Sequence, residues 1–124
     1  MEVKGENDMV NIADSRISIR LACRDDVPLL AAFFADDDLG GHGDSADPAV
    51  LPNYLAAFDA IEASPNERLY VSEWDGVVAG TFQTALLRTL TGQGASALLV
   101  QAVHVRKDLR SNGIGHEMMR FCLA

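Results

Sequence analysis

One stretch near the end of the chain limits its folding options more than any other. An apolar run from Ala97 to Val105 is followed by the charged turn Arg106-Lys107-Asp108-Leu109. Then come Arg110-Ser111-Asn112-Gly113-Ile114-Gly115 and His116-Glu117-Met118-Met119-Arg120-Phe121-Cys122. The apolar run reads as a buried strand. Ile114, Met118, Met119 and Cys122 recur at helical spacing, so a helix follows the strand almost at once. The first N–H groups of a helix have no partner within it, and the helix dipole adds partial positive charge there. Glycines at such a start leave out the Cβ atoms that would hold a phosphate away from those N–H groups. Arg110 adds a planar, charged fork for phosphate oxygens. In physical terms the stretch suits an anion. The residues alone also allow a strand–turn–helix whose glycines only shape the turn.

Two Gly-rich phosphate motifs do not fit. A dinucleotide fingerprint would need Gly where Met118 stands, and a P-loop would need Gly-Lys-Ser/Thr. The hexapeptide Arg110 to Gly115, just after Val103-His104-Val105, instead resembles the Q/R-x-x-G-x-G/A pattern of the GNAT-type N-acetyltransferases. That resemblance implies an acetyl-CoA site, with the pyrophosphate held by Arg110, Ser111, Asn112, Gly113, Ile114 and Gly115. It also implies that main-chain groups of Val103 to Val105 pair with the pantetheine arm and polarise the thioester carbonyl.

Composition narrows the partners. With a formal charge of −8 over 124 residues, the chain lacks the excess of Lys and Arg that a nucleic-acid binder needs. A neutral or cationic partner suits it better. Cys23 and Cys122 form no spacing motif, which suggests a reducing compartment. No apolar stretch is long enough to span a bilayer and the N-terminus lacks a signal-peptide pattern, so no membrane association and a cytoplasmic location are expected.

Taken in order, Met1 to Ser15 is expected to be a flexible leader, and residues 16–124 one domain. Arg16 to Leu21 alternates polar and apolar residues as a half-buried strand does. Asp25 offers an N-cap ahead of Pro28, with Val27, Leu30, Ala31 and Phe34 on one helical face. This opening also resembles the GNAT start. Asp36 to Asp44 is an acidic loop without the ligand alternation of a calcium site. In GNAT folds the corresponding segment lines the acceptor side of the cleft, where its carboxylates would attract a protonated amine. Asp47-Pro48 opens a second helix with Leu51, Leu55, Phe58 and Ile61 inward, ended by Ser64-Pro65-Asn66. Arg68 to Trp74 and Val77 to about Leu87 form a hairpin around Asp75-Gly76.

The expected fold is therefore α/β and GNAT-like, with a mixed, mostly antiparallel sheet of about four strands flanked by helices. Against the family pattern the domain looks incomplete, its C-terminal part missing after the pyrophosphate-binding helix. The central strand would then be an unpaired apolar edge, which predicts a homodimer that covers it.

The resemblance implies acetyl transfer to a small primary amine by direct attack. Many relatives carry a Glu two residues before the first Val of the Val-x-Val pair, as the base that acts through water. Here the position is Gln101, an amide that can orient water or substrate but not take a proton at neutral pH. His104 is the other candidate, since an imidazole can accept a proton near neutrality. Strand alternation sets its side chain opposite Val103 and Val105. His116-Glu117 lacks the second His of a zinc motif, because Arg120 stands there, and no metal site is expected. His42 reads as a solvated loop residue and Cys122 as core. The alternative function is a non-catalytic CoA-binding or self-association module.

Overall fold

The computed structural model describes residues 16–36, 43–110 and 112–123. Four strands form one sheet in the order β1-β2-β3-β4, and all three pairings are antiparallel. They are β1 (Ile17–Leu21), β2 (Glu67–Trp74), β3 (Val77–Arg88) and β4 (Ser96–Val105). Helices α1 (Val27–Ala35) and α2 (Leu51–Ala63) lie between β1 and β2 in sequence, and α3 (Ile114–Leu123) follows β4.

Local chemistry accounts for the boundaries. Asp75 and Gly76 both take positive φ, 51° and 82°, as a two-residue hairpin turn between twisted strands requires. At α2, the Asp47 carboxylate accepts from the Ala49 N–H at 2.9 Å, and a 3-10 turn at Pro48–Val50 leads into the helix. The start of α1 differs from expectation. Asp26, not Asp25, closes it, accepting from the Cys23 N–H at 2.8 Å after a 3-10 turn at Arg24–Asp26. Asp26 has the better partner, because Arg20 grips its carboxylate at 2.8 and 3.0 Å.

The sheet has a packed face on each side. On one, Ala79, Phe82, Ile114 and Met118 are fully buried between β3 and α3. Tyr70 stacks on Phe82 at 5.0 Å and meets the edge of Phe121 at the same distance. On the other face α1 and α2 cover Val71 with Val27, Leu30, Ala31 and Phe58, all buried. Gly80 sits where the strands crowd together. A Cβ there would lie 2.6 Å from the His104 carbonyl oxygen and 2.8 Å from Ser72 Oγ.

One expectation is corrected here. The apolar run of β4 is not a buried strand. Leu98, Leu99 and Val103 are 51, 43 and 44 % exposed, because β4 is the sheet's edge and only β3 pairs with it among the described residues. A nine-residue apolar run reads alike for a buried strand and for an apolar edge.

Candidate acyl-CoA and acceptor clefts

The end of β4 and the start of α3 enclose a cleft of about 430 Å³. Of the residues expected at a cofactor site, Val103, Val105, Arg110, Gly113, Ile114 and Gly115 line it, together with His104 and His116. Among the described residues no carboxylate lines it. The Arg110 Nε–H donates to the Val105 carbonyl at 2.9 Å, which fixes the guanidinium beside the strand end. Asn112 does not line the cleft. Its side-chain amide donates to the Leu109 carbonyl at 2.9 Å and closes the turn. Gly113 holds φ at +83°, a region that costs any L side chain, and its carbonyl accepts the first helical bond, from the Glu117 N–H. A Cβ on Gly115 would make only ordinary contact, 4.0 Å from a Val105 methyl group. Ser111 lies outside the described residues, as do the expected leader and Asp37 to His42 of the acidic loop.

The two residues considered for proton handling are related by a feature the sequence did not disclose. Register pairs Thr81 with His104 but Gln83 with Gln101, so β4 carries one extra residue opposite Phe82. At this bulge Ala102 takes φ +54°. Without the bulge, residues 101 and 104 would face opposite sides of the sheet. With it, Gln101 falls in the row Leu69–Gln83–Gln101, and His104 in the row Val71–Thr81–His104, on the α1 and α2 side. The His104 ring meets Phe34 of α1 at 4.8 Å. Gln101 is exposed at the strand edge and lines neither cleft. As alternation predicted, His104 is turned away from Val105, which packs with the α3 core.

Beyond the bulge lies a second, smaller cavity of about 160 Å³, between α1, α2 and the sheet. Phe34, Tyr54, Gln83 and Ala102 are among its walls. The Tyr54 hydroxyl donates to Asp44 at 2.7 Å and accepts from the Ser45 N–H at 3.1 Å. Burial, reinforced by Asp44, holds this phenol above its ordinary range, so it remains a neutral donor at physiological pH.

Sequence reasoning missed Gly80 and Phe34. A glycine inside the strand pattern Val78-Ala79-Gly80-Thr81 is a legible sign of close backbone approach. Nothing in the sequence distinguishes Phe34 from an ordinary core residue. Among the described residues no group of three or more His, Cys, Asp or Glu side chains could hold a metal ion, and no helix is long and apolar enough to cross a membrane.

No protein-family model and no curated protein matches the sequence. Solved structures do match. A transcriptional regulator from Bacillus halodurans C-125 aligns at 25 % identity with a TM-score of 0.80, over 86 % of this chain and 71 % of that one. A GNAT family acetyltransferase from Staphylococcus aureus aligns at 16 % identity and TM-score 0.68, over 87 % and 76 %. A predicted acetyltransferase from Clostridium acetobutylicum, solved with acetyl-CoA, aligns at 17 % and 0.62, over 86 % and 71 %. Over that shared length the four-stranded sheet and its flanking helices superpose on theirs, and the chain is a GNAT-fold domain, built as the GNAT-type N-acetyltransferases are.

Proposed function

We propose that this chain binds acetyl-CoA between β4 and α3 and transfers its acetyl group to a primary amine. The observation that carries this reading is the cleft lined by Val103, Val105, Arg110, Gly113, Ile114 and Gly115, with no carboxylate among the described residues of its walls. Arg110 would meet pyrophosphate oxygens, joined by the free N–H groups at the start of α3. Gly113 and Gly115 keep the approach clear of side-chain atoms. Backbone groups of Val103 and Val105 would pair with the amides of the pantetheine arm.

Acetyl-CoA supplies an activated thioester. As the amine forms the new C–N bond the C–S bond breaks, and of the two protons the ammonium gives up, one goes to a base and the other to sulfur. His104 is the side chain for the first, since it lines the cleft and faces α1. Gln101, an exposed amide, orients water at the strand edge. A thiol-release assay with acetyl-CoA and a panel of amines tests this reading. His104→Gln is expected to lower kcat by about a hundredfold or more. An unchanged kcat would take His104 out of the reaction.

The exposed edge of β4 favours a second reading for the whole molecule. Leu98, Leu99 and Val103 suit pairing with a second copy across a two-fold axis. If no amine is acetylated while acetyl-CoA still binds, a CoA-binding or self-association module is the function that remains.

A further inference from the structure

The smaller cavity has a chemistry of its own, and it bears on which amine is used. Val27, Leu30 and Phe34 of α1, Phe58 and Ile61 of α2, and Leu69 of β2 form its walls. At about 160 Å³ it is close to the size at which an apolar cavity accepts one benzene-sized group, about 150 Å³. Among the described residues two polar side chains reach it, Tyr54 and Gln83, and each is already tied to a carboxylate. Tyr54 donates to Asp44, and the Gln83 amide donates to Glu67 at 3.4 Å. The Tyr54 hydroxyl is engaged as donor and as acceptor and one Gln83 N–H is taken, which leaves the cavity the Gln83 carbonyl oxygen and its second N–H. Such a site can meet a donor such as an ammonium but has little for a hydroxyl-rich molecule, whose oxygens would be buried unpaired.

Position points the same way. Ala102, at the left-handed corner of the β4 bulge, lines the small cavity, while the next residue, Val103, lines the large one. Phe34 lines the small cavity and touches His104, which lines the large one. The two spaces therefore flank the same three residues of backbone. A molecule with its apolar body among Leu30, Phe58 and Ile61 could bring a nitrogen to the bulge. The carboxylates of Asp44 and Glu67, within a chain of net charge −8, favour a cation on that approach.

We infer that the acceptor is a primary amine bearing a single apolar group about the size of a phenyl ring or a branched butyl chain, seated between α1, α2 and the sheet. The inference rests on the acetyl-transfer reading for its chemistry but not for its binding test. Amide chemical shifts of the full chain would be followed during titration with phenethylamine, and in parallel with spermidine and glucosamine. Phenethylamine is expected to shift Leu30, Phe58 and Leu69 saturably, with binding about tenfold or more tighter than either polar amine. Ala57, exposed on α2 at the cavity wall, offers a way to fill the space without disturbing the core. Ala57→Leu should weaken phenethylamine about tenfold. Ile61→Ala should enlarge the site and tighten tryptamine relative to phenethylamine. Equal binding of spermidine, absence of saturable shifts at millimolar phenethylamine, or indifference to both substitutions would overturn the inference. Titration of the wild-type chain with acetyl-CoA separates the two readings. Phenethylamine binding without acetyl-CoA binding sinks acetyl transfer and leaves the apolar site standing, and the reverse result sinks the apolar site alone.

Discussion

Arg110, Gly80 and Asp26 each do a task that their neighbours cannot take over. Arg110 is anchored through one nitrogen to the Val105 carbonyl, so its fork is already oriented before any ligand arrives. Arg110→Ala should weaken acetyl-CoA binding by about 1.5–3 kcal/mol, the range for a hydrogen bond to a charged group. Gly80 allows the His104 backbone to pass at a distance no Cβ would permit. Gly80→Ala should cost about 1–3 kcal/mol in urea unfolding, as overpacking does, because the obstruction is main chain and cannot rotate aside. Asp26 is held below the usual carboxylate range chiefly by the Arg20 guanidinium, which outweighs the opposing effect of burial. A depressed folded value means its contribution is complete above the unfolded value near 3.8 and is lost as pH falls through the folded one. Thermal unfolding of the wild type should therefore soften below about pH 4, and Asp26→Asn should remove that part of the acid dependence. An identical acid profile in the variant would show that the Arg20–Asp26 pair is not its source.

Among the elements, β4 controls the rest. Its bulge gives Gln101 and His104 a common face, brings Ala102 to the small cavity and leaves Val103 on the large one. An alanine at φ +54° carries backbone strain of about 1–2 kcal/mol. Ala102→Gly should relieve it, for a net gain of about 0.5–1 kcal/mol after glycine's greater entropy loss. Loss of stability in that variant would mean that the Ala102 methyl group contributes packing that outweighs the strain. The succession of elements along the chain, the hairpin at Asp75-Gly76 and the glycine-opened α3 were legible in the sequence, because periodicity and turn chemistry act over a few residues. The bulge was not. Ala102 has no left-handed preference to announce it, and the extra residue shows only in the register of β4 against Thr81 and Gln83 across the sheet. The same limit applied to Asp25 and Asp26, adjacent carboxylates that only the distant Arg20 tells apart.

At the scale of the molecule, charge and exposed apolar surface are unevenly spread. The chain is acidic overall, yet among the described residues the walls of the larger cleft carry Arg110, His104 and His116 and no carboxylate. Along the β3–β4 hairpin, Leu86, Leu87, Leu98 and Leu99 are 43 to 51 % exposed, and Leu90 is almost fully so. A two-fold pairing of β4 edges would bury part of this surface. Sedimentation at micromolar concentration should then report a dimer, and Leu99→Lys should shift it to monomer by placing like charges near the axis. A stable wild-type monomer would rule the pairing out. The central claim, an acyl-CoA site built from the end of β4 and the glycine start of α3, is tested most directly by calorimetric titration of wild type and Arg110→Ala with acetyl-CoA. One site per chain with micromolar affinity is expected, weakened by about tenfold or more in the variant. No heat of binding, or the same affinity in both proteins, would contradict it.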